Sequence, residues 1–143
     1  GLPIGTPGGA YSSGISAELP AGQRSRDRWF NPCTINLTGG RQNCAGNEPA
    51  AFAVQPPYTL RTLSMRFPNI RTRRAGIADF SVFKAFNLRE GLKFQLRAES
   101  FNTLNTPWFG GPNTTLGSAN FGVVSPSQAN DPRNVQLVLK LMF

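Results

Sequence analysis

Histidine is absent from this 143-residue chain, which removes the usual base of a catalytic triad and the commonest metal ligand. Acids are scarce as well: Asp and Glu number 7 against 15 Lys and Arg, for a formal net charge of +8. Glu90, Glu99, Asp79 and Asp131 do not pair in a spacing that acid–base chemistry uses. Neither a nucleophile elbow, a P-loop nor a metal-ligand spacing occurs. An enzyme is therefore not expected, and neither is a bound cofactor or metal. No apolar run reaches the length of a membrane-spanning helix, although barrel strands alternate and escape that test. The chain opens on Gly1-Leu2-Pro3-Ile4, without Met and without a basic-then-apolar export segment. It is expected to be a piece of something longer.

Glycine and proline are plentiful, at 15 and 12 residues, which disfavours long helices and favours strands joined by extended loops. From residue 1 to about residue 57 no period of 2 or 3.6 is sustained, and Pro3, Pro7, Gly14, Pro20, Pro32, Gly39, Gly40 and Pro49 are among the many breakers. A structureless stretch of that length is unusual within a soluble domain and ordinary in the outer loops of a large barrel. Cys33 and Cys44 both lie in it. A local disulfide is the economical reading, suited to an oxidising compartment and worth about 3 kcal/mol by the chain-entropy model. Two unpaired thiols are the alternative.

A short alternation of Leu63, Met65 and Phe67 with polar residues predicts a strand within 58–67, stopped by Pro68. Three longer segments follow. Over 78–88, Phe80, Val82, Phe86 and Leu88 share a face. Over 92–102, Leu92, Phe94, Leu96 and Ala98 oppose Lys93, Gln95, Arg97 and Glu99. Over 133–143, Val135, Leu137, Leu139, Leu141 and Phe143 oppose Asn134, Gln136, Val138, Lys140 and Met142. Such period-2 patterning marks strands with one apolar face. Each segment runs to about eleven residues, twice the usual soluble strand. At a tilt near 45° that length rises roughly 25 Å, the height of the apolar band on an outer-membrane barrel.

The connections agree. Arg89-Glu90-Gly91 is a tight turn, and 103–132 is a long loop rich in Gly, Asn, Pro and Thr. Short turns at the periplasm and long loops outside are the barrel pattern. It puts the turn inside and both the 103–132 loop and the Cys33–Cys44 loop outside. Lys84 breaks the apolar face of its strand. Snorkelling towards the periplasmic rim or a bulge near Phe83 would accommodate it.

The expected fold is thus all-β: antiparallel transmembrane β-barrel strands, the C-terminal three to four of a larger barrel, with long irregular loops. Residues 1–77 are expected to be an extracellular loop region with at most short strands, and 78–143 the barrel strands.

The run Asp79-Phe80-Ser81-Val82-Phe83-Lys84-Ala85-Phe86, followed by Phe94-Gln95-Leu96-Arg97-Ala98-Glu99-Ser100-Phe101-Asn102-Thr103-Leu104-Asn105, resembles one family. It is similar to the C-terminal β-barrel region of TonB-dependent-receptor-like outer-membrane proteins of the acidobacterial, Oar-like type. Arg28-Trp29-Phe30-Asn31-Pro32, Asn120-Phe121-Gly122-Val123-Val124 and the closing Pro132 to Phe143 fit the same pattern. The resemblance implies a barrel of about twenty-two strands with an internal plug and coupling to TonB. It also implies the outer membrane of a Gram-negative bacterium as location. Neither plug nor TonB box is visible in this sequence, so TonB would be reached only through a missing N-terminal part.

The closing Phe143, with Leu141, Leu139, Leu137 and Val135 at alternate positions before it, resembles the signal read by the barrel assembly machinery; the alternation of any lipid-facing strand is the plainer reading. The implied partners are outer-membrane lipid and lipopolysaccharide, that machinery, and the remainder of the barrel and plug. Nucleic acid is not expected. Arg71, Arg73, Arg74 and Trp108 are candidate contacts for a ligand or for lipopolysaccharide, through phosphate pairing and ring stacking. A solvated basic loop and an aromatic folded onto the barrel rim are the plainer readings. Two other functions remain open at this point: a soluble basic all-β module holding an anionic polymer, and a self-associating β-structure built through free strand edges.

Overall fold

Alternating aromatic and branched residues build three long strands near the end of the chain, and Gly- and Pro-rich sequence leaves only short ones before them. The computed structural model describes residues 2–3, 10–64 and 66–143. In chain order the strands are β1 (Leu2–Pro3), β2 (Ala10–Ser12), β3 (Thr34–Ile35), β4 (Arg41–Gln42), β5 (Phe52–Val54), β6 (Arg66–Phe67), β7 (Phe80–Arg89), β8 (Leu92–Phe101) and β9 (Asn134–Met142). One short 3₁₀ turn, Ala21–Gln23, accompanies them. The chain divides into two units: residues 1–73 with 109–127, and residues 74–108 with 128–143.

The second unit is a three-stranded antiparallel sheet in the order β7-β8-β9. β7 and β8 are joined across Glu90-Gly91, with Arg89 opposite Leu92. Gly91 takes φ +77°, a conformation that a side chain would strain. The register runs unbroken from Phe80↔Ser100 to Asn87↔Lys93 and then shifts, leaving a bulge between Asn87 and Arg89. Of the two ways open to Lys84, a bulge near Phe83 is not taken: Phe83 pairs with Arg97 and Lys84 with Leu96 in regular register. Strand bounds lie within two residues of the expected ones.

At the other end of this sheet Asn102 closes the base of the long loop. Its φ of +48° turns the chain out of β8. Its backbone N–H donates to Asp79 Oδ1 at 2.9 Å, and its amide donates to the Asp131 carbonyl at 3.0 Å. Its Oδ1 accepts from the Thr106 N–H at 3.0 Å. One buried residue, through its backbone N–H and its side chain, thus ties together the segments that enter β7, leave β8 and approach β9. Asn130 repeats the device, accepting from the Trp108 N–H at 2.7 Å and donating to the Thr106 carbonyl at 3.1 Å.

The first unit departs from the expectation of open loop. Its strands are short, as expected, in a sheet ordered β2-β5-β3-β4 and a β1-β6 pair. They nevertheless frame a hydrophobic core of Ala17, Phe30, Ala51, Phe52, Leu63, Ile70, Leu116 and Phe121. Phe30, Phe52 and Phe121 are fully buried and meet edge to face, with centroids 5.0 Å apart for Phe30–Phe121 and 5.2 Å for Phe52–Phe121. Aromatics gain from this geometry beyond the area they bury. Gly122 lets the chain pass close by, since a Cβ there would stand 3.1 Å from Pro32 Cβ.

Two parts of the expected organisation change accordingly. The boundary at residue 77 is replaced by an interleaved one, because 109–127 packs with the first unit and supplies Leu116 and Phe121 to its core. Within 58–67 only Arg66–Phe67 form a strand; Met65, on which the alternation also rested, lies outside the described residues.

Cys33 and Cys44 are disulfide-bonded. They flank the β3–β4 hairpin, so the bond closes its open end. Asn36 holds the tip, its Oδ1 accepting from the Gly40 N–H at 2.7 Å and the Thr38 N–H at 3.1 Å.

Candidate functional site

Residues paired across an antiparallel ladder project to the same side, so the register decides which side chains share a face. Phe80, Val82, Lys84 and Phe86 of β7 face Ser100, Ala98, Leu96 and Phe94 of β8. These in turn face Val135, Leu137, Leu139 and Leu141 of β9. The three alternations expected from sequence therefore fall in phase and fuse into one apolar surface. Only Lys84 and Ser100 interrupt it. Leu137 is 75% exposed, Leu139 67% and Phe80 62%, so no described residue covers this face. An uncovered apolar sheet of this extent is stable against hydrocarbon and a liability in water.

The opposite face carries Ser81, Phe83, Ala85 and Asn87, then Lys93, Gln95, Arg97 and Glu99, then Gln136, Val138 and Lys140. Its polar groups engage each other across and along the strands. Gln136 Nε2 donates to Glu99 Oε2 at 2.5 Å, and Arg97 pairs with Glu99 at 3.3 Å. Lys93 and Lys140 have no acid partner in these ladders. One apolar and one hydrated face on strands of 9 to 10 residues is the build of a membrane barrel wall, with the polar side turned to the lumen.

A family model described as an outer membrane beta barrel domain matches residues 5–136. The chain belongs to the outer-membrane β-barrel family. The outer membrane is accordingly its location, with the sheet's apolar face as the lipid-facing surface. No curated protein and no solved structure matches the chain.

The residues singled out from sequence fare differently. Val135, Leu137, Leu139 and Leu141 share the lipid face along β9, and Phe143 follows them, fully exposed. Arg71 and Arg73 belong to the first unit and Arg74 to the second. Arg71 Nε reaches the Pro68 carbonyl at 3.3 Å. Arg73 lines a small cleft instead, with Arg26, Trp29 and Phe109. Trp108 is half-buried rather than presented to solvent, and its indole N–H is buried without a hydrogen-bond partner among the described residues.

Sequence reading missed Arg26 and Phe109 as partners of Arg73. They stand far apart in the chain, in segments without periodicity, so no local signal joins them. An open groove of about 700 Å³ in the second unit, beside Asp79, Phe101, Asn102 and Asp131, is a weaker candidate. The polar atoms of Asn102 that border it are already engaged in holding the loop base together.

Proposed function

We propose that the chain forms part of the barrel wall and outer loops of a TonB-dependent-type outer-membrane receptor or transporter. The carrying observation is the three-stranded sheet itself. Its faces are those of a barrel wall, yet β7 and β9 each leave an edge with no strand beside it among the described residues. Three strands cannot curve into a closed cylinder, because even the smallest such barrels use about eight. Further strands must complete the wall, and they come from the remainder of the barrel. The run of motifs from Asp79 to Asn105, with Asn102 closing the loop base, favours the TonB-dependent type over other barrels.

In this reading the contribution of the chain is transport architecture and not catalysis. Lipid and lipopolysaccharide contact the Val82–Leu139 face, a plug occupies the space beside Arg97 and Lys140, and TonB acts on a segment outside this sequence. The regular edge of β9 is the element offered to the assembly machinery, since an amphipathic strand adds to an open sheet edge by main-chain pairing.

The test is the coding sequence upstream of Gly1. It is expected to continue in frame through several further ten-residue alternations to a plug domain and a TonB box. A complete barrel without a plug would refute the receptor type. Assembly of the purified chain into fibres through its strand edges in lipid vesicles, with no barrel formed alongside the upstream strands, would refute the wall role itself.

A further inference from the structure

Arg26 and Arg73 line one cleft, and no acid lines it with them. Its walls are Arg26, Trp29, Arg73, Phe109, Pro112 and Val124, with no Asp or Glu among them. Even Asp27, the next residue in sequence, is not part of the lining. Neither arginine forms an ion pair among the described residues, in contrast to Arg24, Arg28 and Arg97. Two like charges facing one hollow repel, and an anion between them turns that repulsion into attraction.

The walls are held in place independently of any ligand. Arg26 lies over the Phe109 ring, its guanidinium carbon 5.2 Å from the centroid, a contact that steadies the side chain. The Trp29 indole N–H donates to the Arg71 carbonyl at 2.7 Å, and the Trp29 backbone N–H to the Gly122 carbonyl at 2.9 Å. Val124 donates from its N–H to the Arg26 carbonyl at 2.7 Å, and Pro112 bridges to Val124. Backbone and ring contacts thereby tie the segments around residues 26, 29, 71, 109 and 124 together within the first unit.

The geometry points to a binding site for the phosphate group of a phosphorylated saccharide. A phosphate monoester carries about −1.5 to −2 charges at neutral pH, which matches two unpaired guanidiniums. Its oxygens accept the forked N–H pairs that arginine presents. The hollow holds about 20 Å³, and one water needs roughly 10–15 Å³ by the same measure. It therefore admits about one oxygen of an anionic group and leaves the rest of the group and the ring at its mouth, against the aromatic rim of Trp29 and Phe109. Such a phosphate has two sources at this location: lipopolysaccharide in the outer leaflet, or a soluble sugar phosphate. The site stands whether or not the barrel is of the TonB-dependent type.

The full chain, folded in detergent micelles, would be titrated calorimetrically with glucose 6-phosphate and with glucose. A parallel titration would use lipopolysaccharide micelles before and after phosphatase treatment. Phosphate-dependent binding is expected for at least one phosphorylated probe. Arg73→Gln and Arg26→Gln should each weaken it roughly tenfold or more, and Arg89→Gln, which removes the same charge outside the cleft, should leave it unchanged. Arg73 is exposed, so its variant keeps the fold, which circular dichroism would verify. Binding of glucose 6-phosphate assigns a soluble ligand; binding of lipopolysaccharide alone assigns the membrane's own saccharide. Equal responses with and without phosphate for both pairs, or an equal loss in Arg89→Gln, would overturn the proposal.

Discussion

The amine of Lys84 lies 6.0 Å from the centroid of the Phe86 ring, two residues nearer the Glu90-Gly91 turn on the same face of β7. The contact gives the direction in which the side chain leans. Lys84 sits at mid-strand on the lipid side, opposite Leu96 and in line with Leu139. Its charge is carried towards the turn-side rim along the Phe86 ring, where headgroups and water can reach it. Of the two ways of accommodating Lys84, the structure takes the leaning side chain, and the bulge falls beyond it at Asn87–Arg89.

Replacing Lys84 with Leu should stabilise the barrel in lipid. A cation at the bilayer midplane costs about 2–4 kcal/mol and one near the interface about 0–1. The leaning side chain lies between these limits, so a gain of about 1–2 kcal/mol is expected from urea unfolding in vesicles. An unchanged or lower stability would mean that Lys84 has a specific partner.

The two faces of β9 should answer charge in opposite ways. Leu139→Arg puts a guanidinium into the uncovered apolar face and should cost about 2–4 kcal/mol. Gln136→Arg places the same group opposite Glu99, which already accepts a 2.5 Å hydrogen bond from Gln136, and should be close to neutral. Equal losses in a membrane refolding assay would contradict the assigned sidedness.

Cutting the disulfide should loosen one hairpin. The bond joins residues 11 positions apart, and a loop of that size is worth about 3 kcal/mol in the chain-entropy model. Cys33→Ser with Cys44→Ser should raise amide hydrogen exchange across β3, β4 and β5. Treatment with a reductant should give the same pattern, and exchange within β7–β8 should stay as it was.

Asn102→Ala should release the base of the long loop. The substitution removes bonds to Asp131 and Thr106 from a side chain only 4% exposed, and orphaned buried partners cost about 1–3 kcal/mol each. Proteolysis within 103–132 should accelerate severalfold, and Asn102→Asp, which keeps one acceptor, should fall between the two. Identical cleavage rates in all three proteins would deny Asn102 this role.

The motif Phe101-Asn102-Thr103-Leu104-Asn105 shows how far the residues could be read unaided. Its type was legible as the end of a strand, since β8 alternates up to it and then stops. Its task was not legible, because the groups that Asn102 binds come from three separate stretches of chain. Arg73 is a similar case. A run of nearby arginines was visible, but the cleft that Arg73 lines is completed by Arg26 and Phe109 from elsewhere in the first unit.

What the sequence determined by itself was the barrel surface. Alternation with period 2 over β7, β8 and β9 is a local property, and the pleat converts it directly into one apolar and one polar face. Strand length and the Glu90-Gly91 turn follow from equally local chemistry. Only the tertiary structure decided that the three faces lie in phase, that Lys84 leans along Phe86, and that the Gly- and Pro-rich stretches close around Phe30, Phe52 and Phe121. These depend on contacts between residues remote in the chain. In segments without periodicity, burial leaves no pattern along the sequence from which such contacts can be read.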